Sequence, residues 1–201
     1  MGAQCAEAAA ALTPQLYKEL RTARSGEKIR SCFDRYTNSA NAEICRILSD
    51  SKVSRGGSTF AAVFISGDRA YPFSLGDSRI YLCNGDELIR ISSDHTVAAR
   101  KAQHGLCTQE EADSAPDSHK LTLYLGLDTQ KRGITAESYA PMTLTNGMKL
   151  LLCSDGVYDV CTDSMLLSIL RSSNHPACDI AKAAQSATNG DDISAAVISV
   201  E

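Results

Sequence analysis

The N-terminal part of the chain has the apolar spacing of α-helices. Leu12, Leu16 and Leu20 recur every four residues, which predicts one apolar stripe along a helix. An Ala-rich run precedes them, so we expect two consecutive helices, or one kinked helix, ending at about Arg24. The pair Thr13-Pro14 is typical of an N-cap followed by proline in the first helical position.

A further helix is predicted from about residue 39 to residue 51, with Asn38 or Ser39 as its cap. Ile44, Ile47 and Leu48 would form its buried face. Nothing in these N-terminal segments indicates chemistry, so core packing is their expected role.

After Arg55-Gly56-Gly57-Ser58 the chain becomes rich in β-branched and aromatic residues. Gly67-Asp68 and Asn84-Gly85 mark hairpin turns, so we predict an antiparallel meander of about four strands up to residue 92. Later elements are predicted as strands near 121–125, 134–139, 148–153 and 193–200, and as helices after Asp163 and from Pro176 to about Ala187.

Residues 97–118 lack strand alternation and form a separate feature. They carry four acidic side chains and Pro116, which predicts short helices in a surface insertion. We expect a mobile flap over about 97–118 within a single domain that spans residues 1–201.

Acidic residues stand at the ends of several predicted strands. The stretch LLLCSDGVYDV places Asp155 at the end of an apolar run, where an unpaired carboxylate is costly. Asp77 follows another strand, and Asp191 and Asp192 precede the last one. Each has a glycine close by, which lets the backbone approach a ligand.

Carboxylates collected from distant strand ends repel one another unless a cation neutralises them. Because no His or Cys accompanies these acids at ligand spacing, the donor set is hard and favours Mg²⁺ or Mn²⁺ over zinc or copper. Taken singly, an Asp-Gly pair is also typical of a turn or a helix cap, and Asn189-Gly190-Asp191 is compatible with a plain loop. The joint order and spacing of the acids favour the metal site.

Composition narrows the class of protein. The 201 residues, 43% of them hydrophobic, suffice for one full-sized domain. The net charge of −4 and the absence of a long Lys/Arg cluster argue against nucleic acid as a ligand. The apolar runs are too short to span a bilayer, and the N-terminus lacks the pattern of a secretion signal. We therefore expect a soluble, cytoplasmic protein.

The eight cysteines raise two further possibilities, zinc and disulfides. They form no Cys-x-x-Cys pair and have no His at ligand spacing, and most of them lie in apolar contexts. Reduced cysteines in the cytoplasm are the preferred interpretation. His104, His119 and His175 lack acidic partners in the sequence, so solvated or capping roles are expected for them, although His119 borders the flap.

Six motifs, taken in order, resemble those of the PP2C (PPM) metal-dependent protein serine/threonine phosphatases. The resemblance covers the chain from about Gly56 to its end, and the second and fifth motifs are the most specific. The motifs are Gly57-Ser58-Thr59, Gly76-Asp77-Ser78-Arg79, Asp94-His95-Thr96, Leu125-Gly126, Leu152-Cys153-Ser154-Asp155-Gly156 and Asp191-Asp192-Ile193-Ser194.

The resemblance implies an α+β fold, an αββα sandwich of two antiparallel sheets flanked by helices. It also implies a site for two or three Mg²⁺ or Mn²⁺ ions at one end of the sandwich. Asp155 matches the aspartate on the first catalytic metal, Asp191 the second aspartate on that metal, and Asp77 the aspartate of a third, weaker metal that Asp155 also helps to bind. Asp192 replaces the family's Asn and, with Gly156, is a possible additional ligand.

The implied reaction is direct attack of a metal-bound water on the phosphorus of phosphoserine or phosphothreonine. The implied partner is a phosphorylated protein substrate of a serine/threonine kinase, and we expect a monomer. The alternative is a non-catalytic PP2C-like module that binds a phosphoprotein or a regulatory partner.

One departure from the family concerns Met1-Gly2-Ala3, which resembles the tail of the family's Asp-Gly-x-Gly-Gly motif. The metal-bridging Asp-Gly would precede Met1, the phosphate-binding Arg would lie further upstream, and Met1 stands where some members carry a His proposed as general acid. We therefore expect an N-terminally truncated chain that lacks the first strands, either a fragment or mis-started product or a natural truncated relative. Weak metal binding and negligible activity are expected from these residues alone.

Overall fold

The computed structural model describes residues 1–129, 133–187 and 190–201, and it divides into two compact units. The first, here called the helical unit, comprises Met1–Phe60 and His95–Ser138. The second, the sheet unit, comprises Ala61–Asp94 and Tyr139–Glu201. None of the helices formed by these residues combines the length and the apolar character needed to cross a membrane.

The described residues form helices and strands in a mixed order along the chain. The helices are α1 (Gly2–Ala11), α2 (Thr13–Leu20), α3 (Gly26–Asp50), α4 (Val97–Gln103), α5 (Gln109–Asp113), α6 (Asp155–Tyr158), α7 (Asp163–Ser172) and α8 (Pro176–Ser186). The strands are β1 (Phe60–Ser66), β2 (Arg69–Leu75), β3 (Arg79–Asn84), β4 (Glu87–Arg90), β5 (Glu137–Ser138), β6 (Met142–Thr143), β7 (Lys149–Cys153) and β8 (Ala195–Ser199).

The long helix α3 is the centre of the helical unit. Its apolar positions recur at helical spacing and are buried, and α1 and α2 pack against it. The hydroxyl of Tyr36 donates a hydrogen bond to the backbone carbonyl of Ala9 in α1, with an O···O distance of 3.0 Å. Leu16 and Leu20 of the predicted stripe are buried.

Two predictions about these helices were wrong. The helix expected from residue 39 begins at Gly26, because Ser25 caps it by accepting a hydrogen bond from the N–H of Lys28, and Ile29, Cys32, Phe33 and Tyr36 extend its buried stripe toward the N-terminus. Thr13 is not the cap of α2 but its first residue, and its hydroxyl bonds to the carbonyl of Ala10 in α1. The break between two consecutive helices before Pro14 is confirmed.

The sheet unit contains most of the β-structure. One antiparallel sheet has the strand order β4-β3-β7-β8, and in the other β2 pairs with both β1 and β6. The four strands β1 to β4 and the predicted turns at Gly67 and Gly85, whose φ angles are both +61°, are confirmed. The prediction of one continuous meander was wrong, because β1 and β2 belong to one sheet and β3 and β4 to the other. The predicted elements β7, α7, α8 and β8 are also confirmed.

Successive side chains of a strand point to opposite faces, and this alternation separates two cores in the sheet unit. Leu82 and Leu150 belong to a core that also contains Ala70 of β2, so the two sheets pack face to face. Tyr81 and Leu151, one position along, pack with residues of α7 and α8 on the opposite face. Two antiparallel sheets with helices agree with the predicted fold class.

The strand expected at 121–125 does not form. Leu121 and Leu125 each make only an isolated bridge, to Thr96 and Ser58 respectively. The strand expected at 134–139 is limited to β5, because pairing partners rather than local alternation decide how far a strand extends. The sequence analysis did not predict α6 or β6.

Candidate active site

The register of the larger sheet brings three of the acidic segments to one end. Arg79, two residues after Asp77, lies opposite Cys153, two residues before Asp155. Cys153 also lies opposite Ala195, shortly after Asp191 and Asp192. Because β7 runs antiparallel to both neighbours, the strand ends that carry these acids meet at the same end of the sheet, where β7 finishes and β3 and β8 begin.

Hydrogen bonds join two of these segments directly. The backbone N–H of Ser154 donates to the carbonyl of Ser194 at 3.0 Å, and the N–H of Ser194 donates to the Ser154 hydroxyl at 3.0 Å. The Ser154 hydroxyl also donates to the carbonyl of Asp192 at 3.3 Å. The residues on either side of Asp155 are therefore fixed against the Asp192–Ser194 segment.

Gly156 explains how closely these segments approach. A Cβ atom at this position would lie 2.4 Å from the carbonyl oxygen of Asp192, a distance that no other residue type tolerates. The glycine thus permits two oxygen-bearing backbone segments to lie side by side. The sequence analysis expected the glycines near the acids to allow close approach of a ligand; at Gly156 the close neighbour is the backbone of Asp192.

The carboxylates of Asp155 and Asp191 have similar local geometry. Asp155 is the first residue of α6, and its Oδ1 accepts a hydrogen bond from the N–H of Gly156 at 3.0 Å. Asp191 Oδ1 accepts from the N–H of Asp192 at 2.8 Å. Asp155 is half-buried, whereas Asp191 and Asp192 are exposed, so solvent ions reach this group of acids. Asn189, part of the sequence motif, lies outside the described residues.

Asp77 is more enclosed than the other acids. Its relative exposure is 6%, and its backbone carbonyl accepts a hydrogen bond from the hydroxyl of Tyr158 at 3.0 Å. Tyr158 is the last residue of α6, the helix that Asp155 begins. One short helix therefore contacts the segment of Asp77 while carrying Asp155.

A buried ion-pair network adjoins Asp77. Arg79 Nη2 lies 2.8 Å from Asp94 Oδ2, and Arg90 Nη2 lies 2.5 Å from Asp94 Oδ1. The Asp94 side chain is 6% exposed, so two guanidinium groups neutralise one enclosed carboxylate. Asp94, which belongs to the third of the six motifs, thus forms part of an internal ion-pair network.

Tyr158 connects this network to the acids. The guanidinium carbon of Arg79 lies 3.6 Å from the centroid of the Tyr158 ring, a cation–π contact. Burial opposes the charge on Arg79, but the hydrogen bonds and charge of Asp94 outweigh it and raise the pKa of Arg79. Burial and the nearby charges of Asp77 and Asp94 raise the pKa of Tyr158 well above its ordinary value, so its hydroxyl remains a hydrogen-bond donor.

The donor chemistry at this end of the sheet fits a hard divalent cation. The Asp155 carboxylate, which accepts from the N–H of Gly156, and the carbonyl of Asp192 both lie next to Gly156. Among the described residues, however, no three His, Cys, Asp or Glu side chains are already grouped as a metal cage. Mg²⁺ usually binds through one or two carboxylates and completes its shell with water and substrate phosphate, so a partial set of protein ligands suits it.

Two other motifs pair with each other inside the helical unit. Ser58 and Leu125 exchange backbone hydrogen bonds of 2.9 Å in both directions. A Cβ on Gly57 would lie 2.3 Å from the carbonyl of Leu125, and Asn41 of α3 accepts a hydrogen bond from the N–H of Gly126 at 2.6 Å. These motifs therefore stabilise the fold of the helical unit.

The predicted capping role of His104 is confirmed. It is the C-cap of α4, and its Nδ1 lies 2.7 Å from the carbonyl of Arg100. His175 stands at the N-cap position of α8, but its side chain forms no capping hydrogen bond. All eight cysteines are free thiols in the structure.

Sequence reasoning missed Tyr158 and Arg90. Neither belongs to one of the six motifs. Tyr158 contacts Asp77, 81 positions away, whereas Arg90 contacts Asp94, four positions along the chain. The one available signal was the helical spacing of three residues between Asp155 and Tyr158.

Comparison with known proteins then identifies the family. A sequence model of the family described as Protein phosphatase 2C matches residues 1–101, half of the chain. The chain belongs to the protein phosphatase 2C family. It is a PP2C-type serine/threonine phosphatase by family, and the match includes the N-terminal helices, which precede the motifs that carried the resemblance.

Related proteins and structures agree with this PP2C membership. Protein phosphatase PhpP of Streptococcus pneumoniae is 29% identical over 177 residues, which cover 86% of this chain and 70% of PhpP. The crystal structure of the Mycobacterium tuberculosis serine/threonine phosphatase PstP/Ppp aligns with a TM-score of 0.81 and 25% identity over 100% of this chain and 85% of that one. A structure of the PstP catalytic domain in complex with two manganese ions aligns with a TM-score of 0.75 and 24% identity over 98% and 82% of the respective chains.

Proposed function

We propose that Asp155, Asp191 and Asp77 bind the divalent cations of this serine/threonine phosphatase, with Asp192 and Gly156 as additional oxygen donors. The observation that carries the proposal is the fixed contact between the residues flanking Asp155 and the Asp192–Ser194 segment. This contact supports the proposal because the segments that carry Asp155 and Asp192 are neighbours at one end of the sheet, where a cation would offset the repulsion between their carboxylates.

Asp155 has the central position in this proposal. Ser154, which precedes it, bonds to the Asp192–Ser194 segment, and its helix contacts the Asp77 segment through Tyr158. A carboxylate between two other acidic segments is suited to share cations with both. This supports the role that the family resemblance assigns to Asp155.

A bound divalent cation supplies a water of lowered pKa and screens the phosphoryl oxygens. The carboxylates hold and orient the cations at one edge of the sheet. Arg79 is committed to Asp94 and to the ring of Tyr158, so its role is to fix this edge rather than to bind phosphate. The oxygen donors suit both Mg²⁺ and Mn²⁺.

The proposed substrate is a protein carrying phosphoserine or phosphothreonine. Family membership supports this, as do the names of PhpP and PstP, both of which are phosphatases. The same names do not favour the alternative of a non-catalytic binding module. The monomeric state and the cytoplasmic location expected from the sequence stay predictions.

The test is Mn²⁺-dependent release of phosphate from a phosphothreonine peptide, with Asp155→Asn as the variant. Asp86→Asn is the matched control, because Asp86 is an exposed acid just beyond the opposite end of β3. Two forms are assayed: the 201 residues, and the same residues preceded by a segment that carries the family's Asp-Gly.

In the extended form we expect hydrolysis that requires Mn²⁺, is abolished by Asp155→Asn and is unchanged by Asp86→Asn. Turnover that survives removal of metal or the Asp155→Asn change would contradict the proposal. So would an extended form that stays inactive with Asp155 intact.

A further inference from the structure

The helix α6 carries two side chains that serve the same end of the sheet. Asp155 begins the helix, and Tyr158 follows three residues later, a spacing that places both on neighbouring parts of its surface. The Tyr158 hydroxyl donates to the backbone carbonyl of Asp77 at 3.0 Å. The single turn of α6 thus links the two segments: it begins with Asp155, and the hydroxyl of its last residue bonds to Asp77.

We propose that Tyr158 is a positioning residue for the metal site. Its hydroxyl fixes the separation between the carboxylates of Asp77 and Asp155 and thereby sets the affinity for the cation that they share. This inference rests on the proposed function above, and it adds a residue that lies outside all six sequence motifs.

The surroundings of Tyr158 restrict where its hydroxyl can point. Its ring lies against the guanidinium of Arg79, which Asp94 holds through a pair of hydrogen bonds to its Nε and Nη2. A series of side-chain contacts therefore runs from Asp94 through Arg79 to Tyr158, whose hydroxyl bonds to the carbonyl of Asp77. Because the Arg79 guanidinium packs on the face of the ring, the hydroxyl stays directed at the Asp77 carbonyl. The hydrogen bond can therefore hold the Asp77 segment in position.

The location of the bond also explains why it would act on metal affinity. It contacts the backbone of Asp77, directly at the residue that carries the carboxylate, rather than a remote part of the strand. Asp77 lies just before β3, in the Gly76-Asp77-Ser78 turn, so the pairing of β3 with β7 does not itself include this residue. The hydrogen bond from Tyr158 therefore restrains Asp77, which the pairing of β3 with β7 does not.

The test substitutes Tyr158→Phe, which keeps the ring against Arg79 and removes only the hydroxyl. Binding of Mn²⁺ is titrated by electron paramagnetic resonance of the free ion, a readout that needs no catalysis. We expect the apparent Kd to rise about threefold to tenfold, the range that one buried hydrogen bond to a ligand segment represents. Hydrogen exchange of residues 76–79 in the metal-free protein should become faster.

The matched control is Tyr139→Phe in the same unit. Tyr139 also uses its hydroxyl for hydrogen bonds, at 2.8 Å to the Ser74 hydroxyl and at 3.1 Å from the N–H of Ser93. This control removes a comparable hydroxyl without changing the link to Asp77. We expect its Mn²⁺ affinity to equal that of the unsubstituted chain, even if it lowers the free energy of unfolding.

Three results would overturn the inference. If Tyr158→Phe binds Mn²⁺ normally while Asp155→Asn does not, Tyr158 has no positioning role and the proposed function stands. If Tyr158→Phe and Tyr139→Phe weaken binding equally, the effect is one of general stability. If Asp155→Asn itself leaves Mn²⁺ binding unchanged, the proposed function fails together with the inference.

Discussion

Arg79 and Asp94 form an enclosed ion pair, with 2.8 Å between Nη2 and Oδ2 and side-chain exposures of 11% and 6%. Arg90 contacts the same carboxylate from the other side. Charges removed from water are stable only while they remain paired, so each member of this network depends on the others. Arg79 lies two residues after Asp77, so the network adjoins one of the acidic segments.

Asp94→Ala should therefore be strongly destabilising. It leaves the guanidinium groups of Arg79 and Arg90 without their shared carboxylate, and breaking a buried pair in this way typically costs about 3–5 kcal/mol. Urea unfolding of the two proteins measures the difference. The exposed pair of Asp86 with Arg171 provides the control, since Asp86→Ala should leave stability unchanged within error. If the two changes lowered the free energy of unfolding equally, the enclosed network would contribute no more to stability than the exposed pair.

Gly156→Ala should displace the Asp155 segment from Asp192. The new Cβ would lie 2.4 Å from a backbone oxygen, so the backbone must shift, and overpacking of this kind costs about 1–3 kcal/mol. We also expect weaker Mn²⁺ binding, measured by titration. Gly26→Ala is the control, because a Cβ at the first residue of α3 meets nothing within 4 Å. Unchanged Mn²⁺ binding in Gly156→Ala would contradict this account of the close approach.

The buried thiol of Cys153 predicts a loss of stability at alkaline pH. Burial raises the pKa of Cys153 from its ordinary 9.0 to about 12. The unfolded chain releases this proton first, so the stabilisation is complete below pH 9 and is lost as the pH rises towards 12. Urea unfolding at several pH values in this range measures the slope.

Cys153→Ala should reduce that slope because it removes one of the groups whose pKa burial raises, while Tyr36 and Tyr81 still titrate at alkaline pH. Cys178→Ala replaces an exposed thiol and should keep the slope of the unsubstituted chain. Identical slopes for the two variants would show that Cys153 does not contribute to the alkaline sensitivity.

The flap predicted at 97–118 should exchange amide hydrogens at two different rates. Its base is joined by the hydrogen bonds of Val97 N–H to the Lys120 carbonyl at 2.8 Å and of Thr122 N–H to the His95 carbonyl at 2.7 Å. Beyond this base lie α4, α5 and Leu106, whose side chain is 75% exposed. Hydrogen exchange followed by mass spectrometry should be slow at the base and fast from about residue 103 to residue 116. Exchange across the whole flap as slow as in β7 would refute the predicted mobility.

The sequence was sufficient to predict features that depend on local chemistry. Turn glycines such as Gly67 and Gly85 and the alternation around them predicted the strands β1 to β4, although not their division between two sheets. The order of the motifs placed Asp77 and Asp155 at strand ends, and the register of β3 with β7 brings those ends to one edge. Periodicity also predicted the helices near Asp163 and Pro176.

Features that depend on distant partners could not be predicted in the same way. The alternating residues 121–125 have the pattern of a strand, yet Leu125 finds only the single partner Ser58. The early start of α3 is different, because the capping side chain of Ser25 bonds locally to the N–H of Lys28 and the sequence analysis overlooked it. The contact of Tyr158 with Asp77 joins residues 81 positions apart, and no spacing rule for helices or strands anticipates such a pair.

The most direct test of the proposed metal site is crystallography of the protein grown with Mn²⁺, with diffraction measured at the manganese absorption edge. The account predicts an anomalous peak at coordinating distance from the Asp155 carboxylate, shared with Asp191 or Asp77, and loss of that peak in Asp155→Asn. Anomalous density remote from Asp155, or a peak that persists unchanged in Asp155→Asn, would contradict it.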